Sequence, residues 1–139
     1  MLVKIVIITF ILIELSNVIA LYFYPGSKRA NSVGVFSAWE ESKNHPQIHD
    51  FVKYLVNWVA GVKLILLLLL GVLLLYGDEQ LQRINLVAMA IATLSFYGGL
   101  FPLIRKMDRN GQIKPRNYSK LLSVMITSII LLFVLAALI

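Results

Sequence analysis

Two ionisable side chains lie in the middle of long apolar runs and are the first candidates for chemistry in this sequence. Glu14 belongs to the first run and Lys63 to the second, and Asn17 follows Glu14 by three residues. A charge at the centre of a bilayer costs between roughly 3 and 10 kcal/mol, so each of these side chains needs a partner. Residues three apart share a helix face, so Asn17 points the same way as Glu14. Groups placed like this can bind a proton, a small cation or a polar solute, or can pair with each other.

The apolar runs themselves predict the fold. Hydrophobic residues make up 59% of the 139 residues and charged residues only 14%, whereas an average soluble domain is about half apolar and about a quarter charged. Runs of about 20 apolar residues fit a hydrocarbon core roughly 30 Å thick. We predict four membrane spans, at about 3–24, 53–76, 84–104 and 121–139. The predicted fold is all-α: residues 1–139 form one integral membrane domain, a four-helix bundle with no separate soluble catalytic domain.

The N-terminal run also has features of a secretory signal peptide. Lys4 precedes the apolar stretch, and Val18-Ile19-Ala20 has the pattern of a cleavage site. The run is too long for a signal peptide, however, and Glu14 and Asn17 interrupt its apolar core. We therefore interpret it as the first transmembrane helix.

Charge indicates orientation and partners. The net charge of +6 and the pI near 9.7 would favour nucleic acid in a soluble protein, but here the basic residues surround the predicted spans. Ten of the 13 lysines and arginines lie in or next to the connections after the first and third spans. By the positive-inside rule these connections are cytoplasmic and both termini are non-cytoplasmic. We expect a plasma-membrane protein whose partners are lipid, its own copies or another membrane protein, and not nucleic acid.

Depth groups several polar side chains into one layer. Glu14 and Lys63 each lie about ten residues from the cytoplasmic end of their span, which puts both about 15 Å deep. The third and fourth spans contribute hydroxyl groups near this depth. We predict that Glu14 and Lys63 form an ion pair. Such a pair either serves only to fix the register and orientation of the helices, or belongs to a binding site for an ion or small solute. The predicted site comprises Glu14, Asn17, Asn57, Lys63, Ser95 and Thr127.

The first connection carries weaker signals. Ser37-Ala38-Trp39-Glu40 has the spacing of a capping box, which is typical of a short interfacial helix with Trp39 towards lipid. An ordinary polar loop is the alternative. Pro46 suits the first turn of the next helix, so that helix begins ahead of its apolar part. His45 and His49 lie near acidic residues, and zinc or similar ions accept such ligands. Because no recognised ligand spacing is present, we prefer a solvated helix end to a metal site.

The third span predicts a packing surface. Small residues recur along it at helical spacing: Ala88, Ala92, Ser95 and Gly99. Such a stripe lets another membrane helix approach closely. Gly98-Gly99 and Pro102 indicate either a kink near the cytoplasmic end of this span or a further packing feature.

Three functions are compatible with these features. The preferred prediction is a small oligomeric transporter, in which Glu14 binds the cation or proton and Lys63 is its counter-charge. An accessory or scaffold subunit would instead use the small-residue stripe to bind a larger membrane complex. A membrane enzyme would place its site at the cytoplasmic interface and use His45, His49, Glu40 or Glu41, but no motif names a reaction. No residue pattern indicates a cofactor.

Overall fold

The computed structural model describes residues 1–139 without a gap, and all of its regular structure is helical. The helices are α1 (Leu2–Phe23), α2 (Ser37–Ser42), α3 (Pro46–Tyr76), α4 (Glu79–Gly98), α5 (Leu100–Arg109) and α6 (Tyr118–Leu138), with a 3-10 turn at Val33–Val35. Three of them, α1, α3 and α6, are long and apolar enough to cross a membrane. The consecutive helices α4 and α5 meet at a bend of 41° and form a fourth candidate span if they cross together.

Two helix pairs build the bundle. Helix α1 packs along α3, and α4 packs along α6, while α1 also contacts α4 and α6. At the end that holds both chain termini, these four helices bury apolar side chains in one core, whose members are at most 4% exposed. This termini-end core comprises Val3, Val6, Ile7, Leu70, Leu86, Ala90, Phe133 and Ala136.

The two pairs have separate cores at the opposite end, where the two long connections lie. One small cluster lies between α1 and α3, and another joins α5 and α6 to the two connections. The members are Leu21, Val56 and Ala60 in the first cluster and Val35, Ile104, Ile113 and Leu122 in the second. The bundle is therefore united at the termini end and divided at the connection end.

Backbone hydrogen bonds hold the two long connections against each other. The Ser37 amide donates to the Gln112 carbonyl at 2.8 Å, and the Lys114 amide donates to the Val35 carbonyl at 2.8 Å. An isolated antiparallel bridge lies between these two bonds. Because the first connection follows α1 and the second precedes α6, these bonds link the two helix pairs.

The short helix predicted between the first two spans is present as α2, but its environment differs from the prediction. Phe36 precedes it, so Ser37 lies inside the helix and forms no cap. Glu40 pairs with Lys43 at 2.7 Å instead of closing a capping box. Trp39 is 6% exposed and packs against the first connection and the start of α3. The predicted capping box and the lipid-facing Trp39 are therefore wrong, because the first connection folds back over this helix.

Other helix boundaries follow the turn residues in the sequence. Helix α3 begins at Pro46, and the Asp78 carboxylate caps α4 by accepting a hydrogen bond from the Leu81 amide at 2.7 Å. The third predicted span is broken at Gly99, and Pro102 lies in the first turn of α5. The kink is thus present, because a proline ring fits the start of a helix but not its interior.

Gly34 offers a test of the folded first connection. A Cβ added to Gly34 would lie 2.0 Å from the Gly26 carbonyl oxygen and 2.6 Å from the Ser27 carbonyl oxygen. Since only backbone movement relieves such contacts, we expect Gly34→Ala to lower the free energy of unfolding by about 1–3 kcal/mol. Gly71→Ala is the matched control, because a Cβ there meets nothing within 4 Å. Thermal unfolding in detergent micelles compares the variants, and equal stability would contradict the close approach at Gly34.

Candidate functional site

Lys63 is the centre of a polar cluster between α1 and α3. Its ammonium group donates to Glu14 Oε2 at 2.6 Å and to Asn17 Oδ1 at 2.6 Å. Glu14 and Asn17 reach the same ammonium group because residues three apart share a helix face. The structure therefore contains the Glu14–Lys63 ion pair that the sequence predicts. We call these three residues the Lys63 cluster.

Asn17 links the Lys63 cluster to the first connection. Its Nδ2 donates to the carbonyl oxygens of Ala30 and Asn31, the second at 3.1 Å. Ala30 and Asn31 both have a φ of 53°, which is uncommon for residues with a side chain. This left-handed backbone turns both carbonyls towards α1. Asn17 therefore uses both ends of its amide, and it is only 4% exposed.

The Lys63 cluster is only partly covered by the rest of the chain. The side chain of Lys63 is 28% exposed and that of Glu14 is 21% exposed. A lysine ammonium has three donors, and two of them are used within the cluster. Glu14 accepts through Oε2, and its Oε1 accepts no hydrogen bond from the chain. One donor of Lys63 and the Oε1 atom of Glu14 are therefore free to bind a group from outside the chain.

A second group of polar side chains lies between α4 and α6. The Tyr97 hydroxyl donates to the Ser123 carbonyl at 2.9 Å and lies 2.6 Å from Thr127 Oγ1. No hydrogen bond joins this group to the Lys63 cluster. The polar side chains that were expected in one layer therefore form two groups, one within each helix pair.

Two predicted site residues belong to neither group. Asn57 is exposed on α3 and makes no side-chain hydrogen bond. Ser95 is exposed on α4, and its hydroxyl donates to the carbonyl of Ala92 in its own helix at 2.6 Å. The other small residues of its stripe, Ala88, Ala92 and Gly99, are exposed as well. The stripe is therefore not used for packing within one chain.

The histidines at the start of α3 are part of the local packing. His49 Nδ1 lies 2.8 Å from the Ser42 hydroxyl, which donates to the Trp39 carbonyl at 2.7 Å. The rings of His49 and Trp39 are 4.9 Å apart between centroids. His45 is exposed and immediately precedes α3. No three histidine or acidic side chains converge in a way that could hold a metal ion.

The sequence interpretation missed Tyr97 and Asn31. Tyr97 is a polar side chain in an apolar run, so the argument used for Asn17 applied to it equally. Asn31 had no such signal, because it reaches Asn17 only through the left-handed backbone of the first connection. The Asn31 side chain also accepts a hydrogen bond from the Tyr118 hydroxyl of α6 at 2.7 Å. Asn31 therefore contacts both helix pairs.

No protein-family model matches this chain, and no curated protein or solved structure matches it either.

A double-mutant cycle tests the coupling between Glu14 and Lys63. Glu14→Gln and Lys63→Met each leave a partly buried charge without its partner, so each should lower the free energy of unfolding by up to about 3–5 kcal/mol. The double variant should lose less free energy of unfolding than the sum of the two single losses, because it leaves neither charge without a partner. Chemical unfolding in detergent micelles measures the three variants.

The matched control is Glu40→Gln, which removes the carboxylate of the exposed Glu40–Lys43 pair on α2. We expect that change to cost no more than about 1 kcal/mol. Strictly additive losses for Glu14→Gln and Lys63→Met would show that their charges are not coupled.

Proposed function

We propose that this chain is a four-span integral membrane protein that acts as an accessory subunit, binding a larger membrane protein alongside its α1–α3 pair. The single observation that carries this proposal is the incomplete Lys63 cluster. The third donor of Lys63 and the Oε1 atom of Glu14 have no partner within the chain, and both side chains reach its surface. Charged groups near the middle of a bilayer are not left against lipid tails.

The chemistry of the open positions describes the partner surface. A helix that offers a hydroxyl, a carboxamide or a further charged group at this depth would satisfy both free positions. The carboxylate and ammonium groups already balance each other, so a neutral polar side chain suffices. The exposed small-residue stripe of α4 offers a second surface that lets a neighbouring helix approach closely.

The proposal includes an orientation. The connections after the first and third spans carry most of the lysines and arginines, so we propose that they lie in the cytoplasm and that both termini lie outside. We propose the plasma membrane as the location. In this orientation the termini-end core lies near the outer surface.

Transport is the second candidate, and the position of the Lys63 ammonium favours it. Lys63 Nζ lies 2.6 Å from a carboxylate oxygen and 2.6 Å from an amide oxygen, and hard cations accept oxygen ligands of these kinds. A small cation or a proton that displaced Lys63 would be bound by Glu14. The termini-end core is filled by apolar side chains that are at most 4% exposed, so it leaves no polar path for an ion through a single chain. A transport path would therefore run between the chains of an oligomer.

Photo-crosslinking tests the proposed partner surface. A benzophenone side chain at Leu66, one turn from Lys63, would contact a partner on the cluster side of α3. Ile65 is the matched control, because it is exposed but lies about 160° away from Lys63 on the helix. We expect a crosslink from position 66 to one defined membrane protein of another sequence, and this crosslink should be lost with Glu14→Gln.

The outcomes separate the two candidates. A crosslink from position 66 to a second copy of the chain would remove the accessory proposal and favour an oligomer. Proton or cation flux into liposomes that contain only this protein, abolished by Glu14→Gln but not by Glu40→Gln, would establish transport. Equal crosslinking from positions 65 and 66 would contradict a specific surface beside Lys63.

A further inference from the structure

A second polar region lies at the connection end, separate from the Lys63 cluster. Side chains from α5, α6 and the segment between them line an open cleft of about 1050 Å³. Four of these side chains are cationic: Arg105, Arg109, Arg116 and Lys120. We call this the α5–α6 cleft. A smaller cleft of about 440 Å³ lies beside it and shares Arg105 and Arg109.

The positive charge of the α5–α6 cleft is not balanced by the protein. The salt bridges of the chain are Glu40–Lys43, Glu14–Lys63 and Glu79–Arg83, and none of them involves a cation of the cleft. All four cations are exposed. One acidic residue, Asp108, lies among the lining residues, so four positive charges face one negative charge.

Asp108 is already engaged by the start of α6. Its carboxylate accepts hydrogen bonds from the Asn117 amide at 3.1 Å, the Ser119 amide at 2.9 Å and the Ser119 hydroxyl at 2.6 Å. The first amides of α6 therefore have an acceptor within the protein. Any anion in the cleft would be held by the four cationic side chains and not by the end of the helix.

The cleft has an apolar side as well as a basic side. Phe101 and Val124 also line it, and Val124 is 65% exposed. Phe101 lies in the first turn of α5, next to the end of α4, and Val124 lies two turns into the apolar helix α6. Arginine side chains bind phosphate oxygens through paired, charge-assisted hydrogen bonds. A ligand with a phosphate group and an apolar tail matches both sides.

We propose that the α5–α6 cleft binds a phosphate group, supplied by the headgroup of an anionic phospholipid whose acyl chain lies over Phe101 and Val124. The positive-inside rule requires basic residues on one side of the membrane, but it does not require them to converge on one cleft. Lys28 and Arg29 carry charge in the other long connection, and neither lines the cleft. Membrane topology therefore does not explain why four basic side chains line one cleft.

Lipid retention tests this proposal on the full chain in nanodiscs of phosphatidylcholine that contain one tenth phosphatidylglycerol. Native mass spectrometry of the protein released from these discs counts the bound phosphatidylglycerol. Each basic residue near a membrane surface contributes roughly a fivefold gain in binding anionic lipid, so Arg105→Gln/Arg109→Gln should weaken retention roughly 25-fold. Lys28→Gln/Arg29→Gln is the control with the same loss of charge and should retain the lipid.

A second double variant, Arg116→Gln/Lys120→Gln, removes the other two cations and should act like the first. Thermal unfolding of every variant checks that the bundle is intact, which we expect because the side chains of Arg105 and Arg109 form no salt bridge. Because the two double variants change different residues, the test stays valid with one of them if the other unfolds.

The source of the phosphate group is tested separately, with inorganic phosphate titrated by calorimetry onto the protein in pure phosphatidylcholine discs. Phosphate binding that the cleft variants lose, without any change in lipid retention, would support the phosphate site and assign it to a soluble ligand. Equal lipid retention in the cleft and control variants, together with no binding of inorganic phosphate, would overturn the proposal.

Discussion

An ammonium group in an apolar bundle must find acceptors, and Lys63 meets this need by drawing on separate parts of the chain. Helix α1 supplies Glu14 and Asn17, and the first connection supplies the carbonyls that hold the Asn17 amide. A shift of α1 by one residue would rotate Glu14 by about 100° away from Lys63. One polar requirement therefore fixes the register of two helices and also directs the path of the chain that follows the first of them.

The long helices and their central ion pair follow from the sequence because few alternatives exist for them. A run of about 20 apolar residues in a membrane is expected to be a helix, since only a helix forms all of its backbone hydrogen bonds within one segment. A lone carboxylate and a lone ammonium group at matched depths then have each other as the strongest available partners. Pro46 and Asp78 add the helix starts, because each fits only a few positions of a helix.

Sequence patterns for helix caps and for hydrogen-bond partners fail where contacts between distant parts of the chain determine the structure. Ser37 and Glu40 have the spacing of a capping box, yet the hydrogen bonds between the two connections position this segment differently. Hydroxyl groups are similarly hard to assign from depth, because a serine or threonine in a helix can bond to a carbonyl of its own previous turn. Ser95 does so, whereas Thr127 meets Tyr97. A polar residue therefore predicts a partner reliably only when its own helix cannot satisfy it, as with Glu14 and Lys63.

The two ends of the bundle differ in how the helix pairs are held together. At the termini end, all four long helices share one apolar core, so relative movement there would separate closely packed side chains. At the other end no single core unites the four helices. The pairs are joined there by hydrogen bonds between the connections, by the contact between Asn31 and Tyr118, and by Val35 of the first connection, which packs against α5 and α6. Rotation of one pair against the other would therefore pivot about the termini end. The contacts between the two connections would oppose this rotation. Because Asn31 contacts both Tyr118 and Asn17, a displacement of the connections would also move Asn17 in the α1–α3 pair.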